Sequence, residues 1–296
     1  MKLSQWAQVG NGYFAPCSTT SGILPAGKYT IEFGLSGVFF KPLDILTDDL
    51  VEIQDSLVYK ILRDIEYFWT RREAFKKYGF LHRRGYLLWG PQGTGKSCAL
   101  AEISRRFINN GGVIFNCDCP RDLSRGLKIF REIEPERPIL CVYEDLDSII
   151  DCYDEGDVLS LLDGEDQVDR VVNIATTNFP ENLPARLLQR PRRFDRIYEI
   201  GNPEESLRRA FFRTKLHPED LEAISLDQWV NATEGFSFAG LTDLIISVVC
   251  LDNSFEDSLA AIKNVMSGND ILARRSSKKN IRNKSRCDEP EDDFDD

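Results

Sequence analysis

The stretch Tyr86-Leu87-Leu88-Trp89-Gly90-Pro91-Gln92-Gly93-Thr94-Gly95-Lys96-Ser97 decides the fold of this chain. Its last eight residues fit the spacing G-x-x-x-x-G-K-[ST], which average residue frequencies produce by chance in roughly one chain in a hundred of this length. An apolar strand pattern precedes the loop, and a helical pattern from Ser97 to Phe107 follows it. Strand, glycine-rich loop and helix in that order predict a phosphate-binding loop. Gly90, Gly93 and Gly95, with Pro91, Gln92 and Thr94 completing the loop, let backbone N–H groups face phosphate, and the helix N-terminus adds positive potential. Lys96 is positioned to neutralise β and γ oxygens, and Ser97 to ligand Mg²⁺.

Such a loop needs an acid at the end of a neighbouring strand to hold Mg²⁺ and polarise water. Five apolar residues, Ile139 to Tyr143, run directly into Glu144-Asp145, and Asp147 follows two residues later. Gly85 to Trp89, Val113 to Asn116, Ile139 to Tyr143 and Val171 to Ala175 all read as buried strands with helical segments between them. This alternation predicts an α/β fold: a parallel sheet of the phosphate-loop type sandwiched by helices.

The flanks differ in texture. In the first forty-five residues Tyr29, Ile31, Phe33 and Leu35 alternate with polar neighbours, and Leu35-Ser36-Gly37 offers a turn before Val38-Phe39-Phe40. A small hairpin or three-stranded β-rich N-terminal appendage is expected there. Trp6, Tyr13 and Phe14 either close its core or form a partner-binding patch, the first being favoured. Val58, Ile61, Leu62, Ile65, Phe68 and Trp69 share one face of a helix expected from Val58 to Tyr78 and ended by Gly79. After Gly201-Asn202-Pro203, helices over Glu204 to Lys215, Leu241 to Leu251 and Ser254 to Met266 make a small helical subdomain. The polar, charged stretch from Gly268 is expected to be disordered. The divisions are therefore 1–45, 46–202, 203–267 and 268–296.

Composition narrows the class further. Two hundred and ninety-six residues at 42% hydrophobic can bury a sizeable core, and a net charge of −11 argues against a surface built to grip nucleic acid. The basic run from Arg274 to Arg286 could touch nucleic acid, but seven acids in the last nine residues neutralise it, so nucleic acid is not the favoured partner. Eight cysteines without a Cys-x-x-Cys pair, and only two histidines, exclude a disulfide framework and a structural zinc pattern. Cys117-x-Cys119 has no third ligand nearby. No run approaches a membrane span or a signal core, so a soluble, cytoplasmic chain is expected.

Four further motifs, in order, give the chain a resemblance to the AAA family of ATPases over roughly Asp44 to Met266. Leu161-Leu162-Asp163-Gly164-Glu165 resembles the segment between the acid pair and sensor 1, and Ala175-Thr176-Thr177-Asn178 resembles the sensor-1 strand end. Arg190-Pro191-Arg192-Arg193-Phe194-Asp195-Arg196 is similar to the arginine-finger segment, and Gly235 to Leu241 to the lid motif beside the nucleotide base. The resemblance implies ATP and Mg²⁺ as ligands, Asn178 on the attacking water, and Arg190 and Arg193 reaching a neighbouring subunit's nucleotide. It also implies Ala239 beside the base, Asp145 as base, and Glu144 with Ser97 on the Mg²⁺ side. A homo-oligomeric ring, hexamer or heptamer, that remodels or translocates a protein substrate follows from the resemblance. A slowly hydrolysing assembly switch and a nucleic-acid motor or loader are the alternatives.

Three departures mark this chain. The order Glu144-Asp145 reverses the usual Asp-Glu, as in the branch that includes the mitochondrial translocase of the folded Rieske protein. The loop Asn116-Cys117-Asp118-Cys119-Pro120-Arg121 lacks the aromatic paddle of threading members. Phe238 stands where many members have glycine.

Overall fold

The computed structural model describes residues 3–9, 12–18, 20, 22–34, 37–44, 57–163, 167–190 and 192–276. One nine-stranded, mostly parallel sheet with flanking helices organises these residues. The N-terminal strands are β1 (Gln5–Val9), β2 (Tyr13–Cys17), β3 (Gly27–Gly34) and β4 (Gly37–Leu43). Helices α1 (Leu57–Thr70) and α2 (Arg72–Lys77) follow, then β5 (Arg83–Trp89), α3 (Lys96–Asn109), β6 (Val113–Asn116), α4 (Pro120–Ile133) and β7 (Ile139–Tyr143). Next come α5 (Leu146–Cys152), α6 (Glu155–Asp163), β8 (Val171–Thr177), α7 (Ala185–Leu188) and β9 (Arg196–Glu199). The chain then turns helical, with α8 (Glu205–Lys215), α9 (Pro218–Ala223), α10 (Leu226–Ala232), α11 (Phe238–Ile245) and α12 (Phe255–Ser276).

The strand order is β1-β2-β4-β3-β6-β7-β8-β5-β9. From β3 to β9 every pairing is parallel, which requires crossover helices and buries both faces. In β7 the pleat sends Ile139, Cys141 and Tyr143 into one core and Leu140 and Val142 into the other. A third core, around Phe212, Trp229, Phe236 and Leu241, belongs to the C-terminal helices alone.

The N-terminal strands are continuous with the sheet, four strands in place of the expected two or three. β3 pairs in parallel with β6 through Gly27↔Val113, Lys28↔Ile114 and Tyr29↔Phe115. Trp6 and Phe40 are fully buried edge-to-face at 4.4 Å, and both belong to the core that holds Phe115 and Phe130. Buried Glu134 accepts from Trp6 Nε1 (2.8 Å), the Leu24 N–H (2.7 Å) and Arg137 Nη1 (2.8 Å). Trp6 thus closes a core, as favoured above, but it is the core of the main sheet.

Other boundaries differ for local reasons. The helix expected from Val58 to Tyr78 is interrupted at Arg71, where the Thr70 hydroxyl bonds back to the Tyr67 carbonyl (2.7 Å) and competes with the helical ladder. The helix expected over Leu241 to Leu251 begins earlier, where the Ser237 hydroxyl accepts from the Gly240 N–H (3.2 Å), and ends in a π-helical turn, Ile246–Cys250. Helix α12 continues through Gly268 to Ser276, past the expected start of the tail. The rest of that tail, the Leu35-Ser36 turn, and Gly164 and Glu165 lie outside the described residues.

Candidate nucleotide site

The loop from Gly90 to Gly95 connects β5 to α3 at the carboxyl edge of the sheet, where α/β folds bind ligands. Three of its residues need the backbone freedom of glycine. Gly90, Gly93 and Gly95 have φ of 154°, 76° and 99°. A Cβ on Gly90 would overlap the Ile200 carbonyl, and one on Gly93 would lie 2.9 Å from Ala239 Cβ. The loop is braced by Thr94 Oγ1 donating to the Pro91 carbonyl (2.9 Å) and by the Gly90 N–H donating to the Thr177 carbonyl (3.3 Å). Lys96 is buried and donates to the Gly90 and Pro91 carbonyls, each at 2.7 Å. Burial lowers its pKa, while the carboxylates of Asp145 and Asp147 pull it back up.

A cavity of about 690 Å³ opens over this loop. Polar residues on its wall include Lys96, the exposed Ser97, Asp145, Thr176 and Asn178, and apolar ones include Leu57, Val58, Tyr59, Phe211 and Phe238. Insertion of β8 between β5 and β7 brings Asn178 between the phosphate loop and the acids. Three hydrogen bonds cross-brace these strand ends. Asn178 Nδ2 donates to Asp145 Oδ1 (3.2 Å), the Asp145 N–H to Thr176 Oγ1 (3.1 Å), and Thr177 Oγ1 to Asp147 Oδ1 (2.6 Å). Asp145 adopts the left-handed conformation (φ 50°), which among non-glycine residues Asp and Asn tolerate best. Ala239 closes the far wall, its N–H donating to the Gly93 carbonyl (3.2 Å). Phe238 rests on Gly95.

Two acids and two arginines occupy places that the sequence did not disclose. Glu144 is absent from the cavity wall; its Oε1 is 2.9 Å from Lys28 Nζ of β3. Arg193, expected to reach a neighbouring subunit, is turned inward: 4% exposed, it donates through Nε and Nη2 to both oxygens of Asp163 (2.8 and 3.0 Å) and through Nη1 to the Arg186 carbonyl. The backbone of Arg193 is closely packed as well. Gly85 has no side chain, so the Arg193 backbone crosses directly over β5, and a Cβ there would overlap the Arg193 carbonyl. Arg190 is 67% exposed and reaches the same Asp163 carboxylate at 3.3 Å.

The loop after β6 is tied down: Asp118 accepts from Thr30 Oγ1 and from Asn116 Nδ2 (2.7 Å), and α4 starts at Pro120. Cys117 is buried there, and burial raises its thiol pKa well above the ordinary value, which leaves it a packing group.

The residues present fit a nucleotide with Mg²⁺. The cavity takes a body of that size, the glycine cradle admits phosphate, and Ser97 offers a hydroxyl to the same cavity that Asp145 lines. Among the described residues no three His, Cys, Asp or Glu converge as an all-protein metal cage, and Mg²⁺ in such sites is held by few protein groups plus phosphate and water. Fold and site together define a phosphate-loop nucleotide-binding protein.

Residues 86–202 match the family described as "ATPase family associated with various cellular activities (AAA)", so the chain carries an AAA ATPase domain. It is 32% identical to the cell division cycle protein 48 homolog of Archaeoglobus fulgidus, over 68% of this chain and 29% of that protein. It is 30% identical to the proteasome-activating nucleotidase of Aeropyrum pernix, over 71% of this chain and 54% of that one. With Protein SAV of Sulfolobus acidocaldarius the identity is 31%, over 67% and 27%. The chain thus spans about a quarter to a half of the length of the curated relatives it matches. Among the described residues no helix is long and apolar enough to cross a membrane.

Proposed function

We propose that this chain is a cytoplasmic ATPase that works as a homo-oligomeric ring, hexamer or heptamer, and couples hydrolysis to remodelling or translocating a protein substrate. We place it nearest the branch with the Glu-Asp acid order. The observation that carries the reading is the convergence of Lys96, Ser97, Asp145 and Asn178 on one cavity, with Arg190 exposed and absent from that cavity's wall. On binding, Lys96 leaves the Gly90 and Pro91 carbonyls for the β and γ oxygens. Asn178 orients the attacking water and Asp145, held by Asn178 and Thr176, accepts its proton. Ser97 and Glu144 would hold Mg²⁺, which supplies charge neutralisation at the phosphates. Arg190 serves the neighbouring subunit's γ-phosphate, and Arg193 holds the segment that presents it. Ala239 and Phe238 flank the base. The short, tied-down loop after β6 supports a grip on folded or looped protein more than the threading of extended chain.

The test is complementation. Arg190→Ala subunits should bind ATP normally and hydrolyse it about 10³-fold more slowly, whereas Lys96→Ala subunits should not bind it. Mixing the two should partly restore activity, and wild-type activity per subunit should rise with protein concentration. A flat rate from dilute to assembled protein, with no recovery on mixing, would leave an ATPase acting alone.

A further inference from the structure

Lys28 and Glu144 are 116 positions apart, yet their charged atoms meet at 2.9 Å. Lys28 belongs to β3, the strand that joins the N-terminal hairpins to the parallel sheet. The alternation along β3 sends Tyr29 and Ile31 into the core on one face, so Lys28 lies on the opposite face, the one covered by α1 and α3. Its side chain is 16% exposed and that of Glu144 44%, so the lysine stem is packed while the ion pair itself opens to solvent. Glu144 immediately follows β7, beside Asp145, and of the two acids only Asp145 lines the nucleotide cavity.

We propose that Lys28 holds the Glu144 carboxylate out of the nucleotide cavity and gives it up when Mg²⁺ enters with nucleotide, so that the N-terminal β-segment both sets and senses metal loading. The inference rests on the nucleotide-site reading above and deepens it. A carboxylate oxygen that accepts from an ammonium cannot also take a divalent cation at bonding distance without setting a single and a double positive charge side by side. Lys28 engages Oε1, and a divalent charge taken up on either oxygen of that carboxylate repels the ammonium, so metal uptake weakens the Lys28 bond, and by reciprocity whatever strengthens that bond weakens Mg²⁺ binding. Lys28 is a positioning residue: it touches the acid, not the nucleotide. The strands β1, β2 and β4, linked to the rest of the sheet through β3, would lose one tie with each metal-loaded nucleotide.

Lys28→Met keeps the aliphatic stem and removes the charge; Lys28→Arg keeps the charge. Affinity for fluorescent ADP is measured on the full chain across a Mg²⁺ titration that starts in EDTA, alongside hydrogen exchange of the β3 and β4 amides. Lys28→Met should bind metal-free ADP as the wild type does, while the Mg²⁺ concentration giving half the metal effect falls by about fivefold or more. Lys28→Arg should titrate like the wild type. Exchange in β3 should rise on adding Mg²⁺ with ADP to the wild type and stay unchanged in Lys28→Met. An unchanged or higher Mg²⁺ midpoint in Lys28→Met overturns the inference and leaves the nucleotide site standing. Wild type that binds no ADP under any condition removes the nucleotide site itself. Should Lys28→Met fail to fold, Lys28→Gln carries the same comparison.

Discussion

Replacing Arg193 by alanine should damage stability before it damages chemistry. The Arg193 guanidinium is 4% exposed and spends both forks on Asp163, whose side chain is 13% exposed. Removing one partner of such a buried pair leaves an uncompensated charge, a loss of about 3 to 5 kcal/mol. Arg190 reaches the same Asp163 oxygen at 3.3 Å and offsets part of it, so about 3 kcal/mol is expected for Arg193→Ala. Arg190 is 67% exposed, and its removal should cost less than about 1 kcal/mol. Lysine at 193 keeps the charge but not the two-pronged geometry and should fall between. Urea unfolding of the three variants without nucleotide, compared at constant m-value, measures these differences directly. Arg193→Ala within about 1 kcal/mol of wild type, or less damaging than Arg190→Ala, would refute the ion-pair reasoning. Loss of ATP turnover in Arg193→Ala is consequently poor evidence for catalysis across a subunit boundary; Arg190→Ala, with its fold intact, is the informative variant.

Asp145→Asn should keep ATP affinity within about threefold and lower turnover about 10²-fold or more, because asparagine tolerates the φ of 50° but cannot take a proton. Asp145→Ala should lose about a further 1 kcal/mol of stability for the same backbone reason, readable in urea. Gly85→Ala drives a methyl into the Arg193 carbonyl and should cost about 2 kcal/mol or more while ADP binding survives; an unaltered midpoint would show that the crossing can open freely. Buried His82, whose Nε2 is 2.9 Å from the Phe68 carbonyl, has a pKa lowered by burial. The unfolded chain therefore takes up the proton first: the contribution of His82 is complete above the unfolded pKa of about 6.5 and fades as pH falls toward the folded value. Urea midpoints at pH 7.5 and 5.5 should drop in wild type by more than in His82→Gln, with a slope from this residue of at most about 1.4 kcal/mol per pH unit.

The parts of the fold that could be read from the chain were those written in contiguous residues. Val113–Asn116 and Ile139–Tyr143 form strands with the expected bounds, because strands buried on both faces are continuous apolar runs. The phosphate loop was legible for the same reason, its spacing and context being local. Side chains whose partners lie far along the chain were not. The pairing of Arg193 with Asp163 spans 30 residues, and that of Lys28 with Glu144 spans 116. The alternation of Tyr29, Ile31 and Phe33 announced a strand without naming its neighbour, so the parallel pairing of β3 with β6 had no local sign. Asp147 stood out as a nearby acid, but its bond to Thr177 depends on β7 and β8 being adjacent, which strand order alone decides.

The continuity of the N-terminal strands with the sheet bears on how the protein can be shortened. A fragment beginning after residue 45 would look like a trimmed domain on paper, yet it would take away the Trp6 and Leu24 donors and leave Glu134 its bond to Arg137 in a largely apolar setting. It would also strip the cover from Phe115 and Phe130 and bare the backbone edge of β6 along the pairing it makes with Gly27, Lys28 and Tyr29. An apolar edge strand of that kind pairs with its own copies, so the shortened protein should form particles that mimic assembly in a sizing column while lacking any dependence on nucleotide.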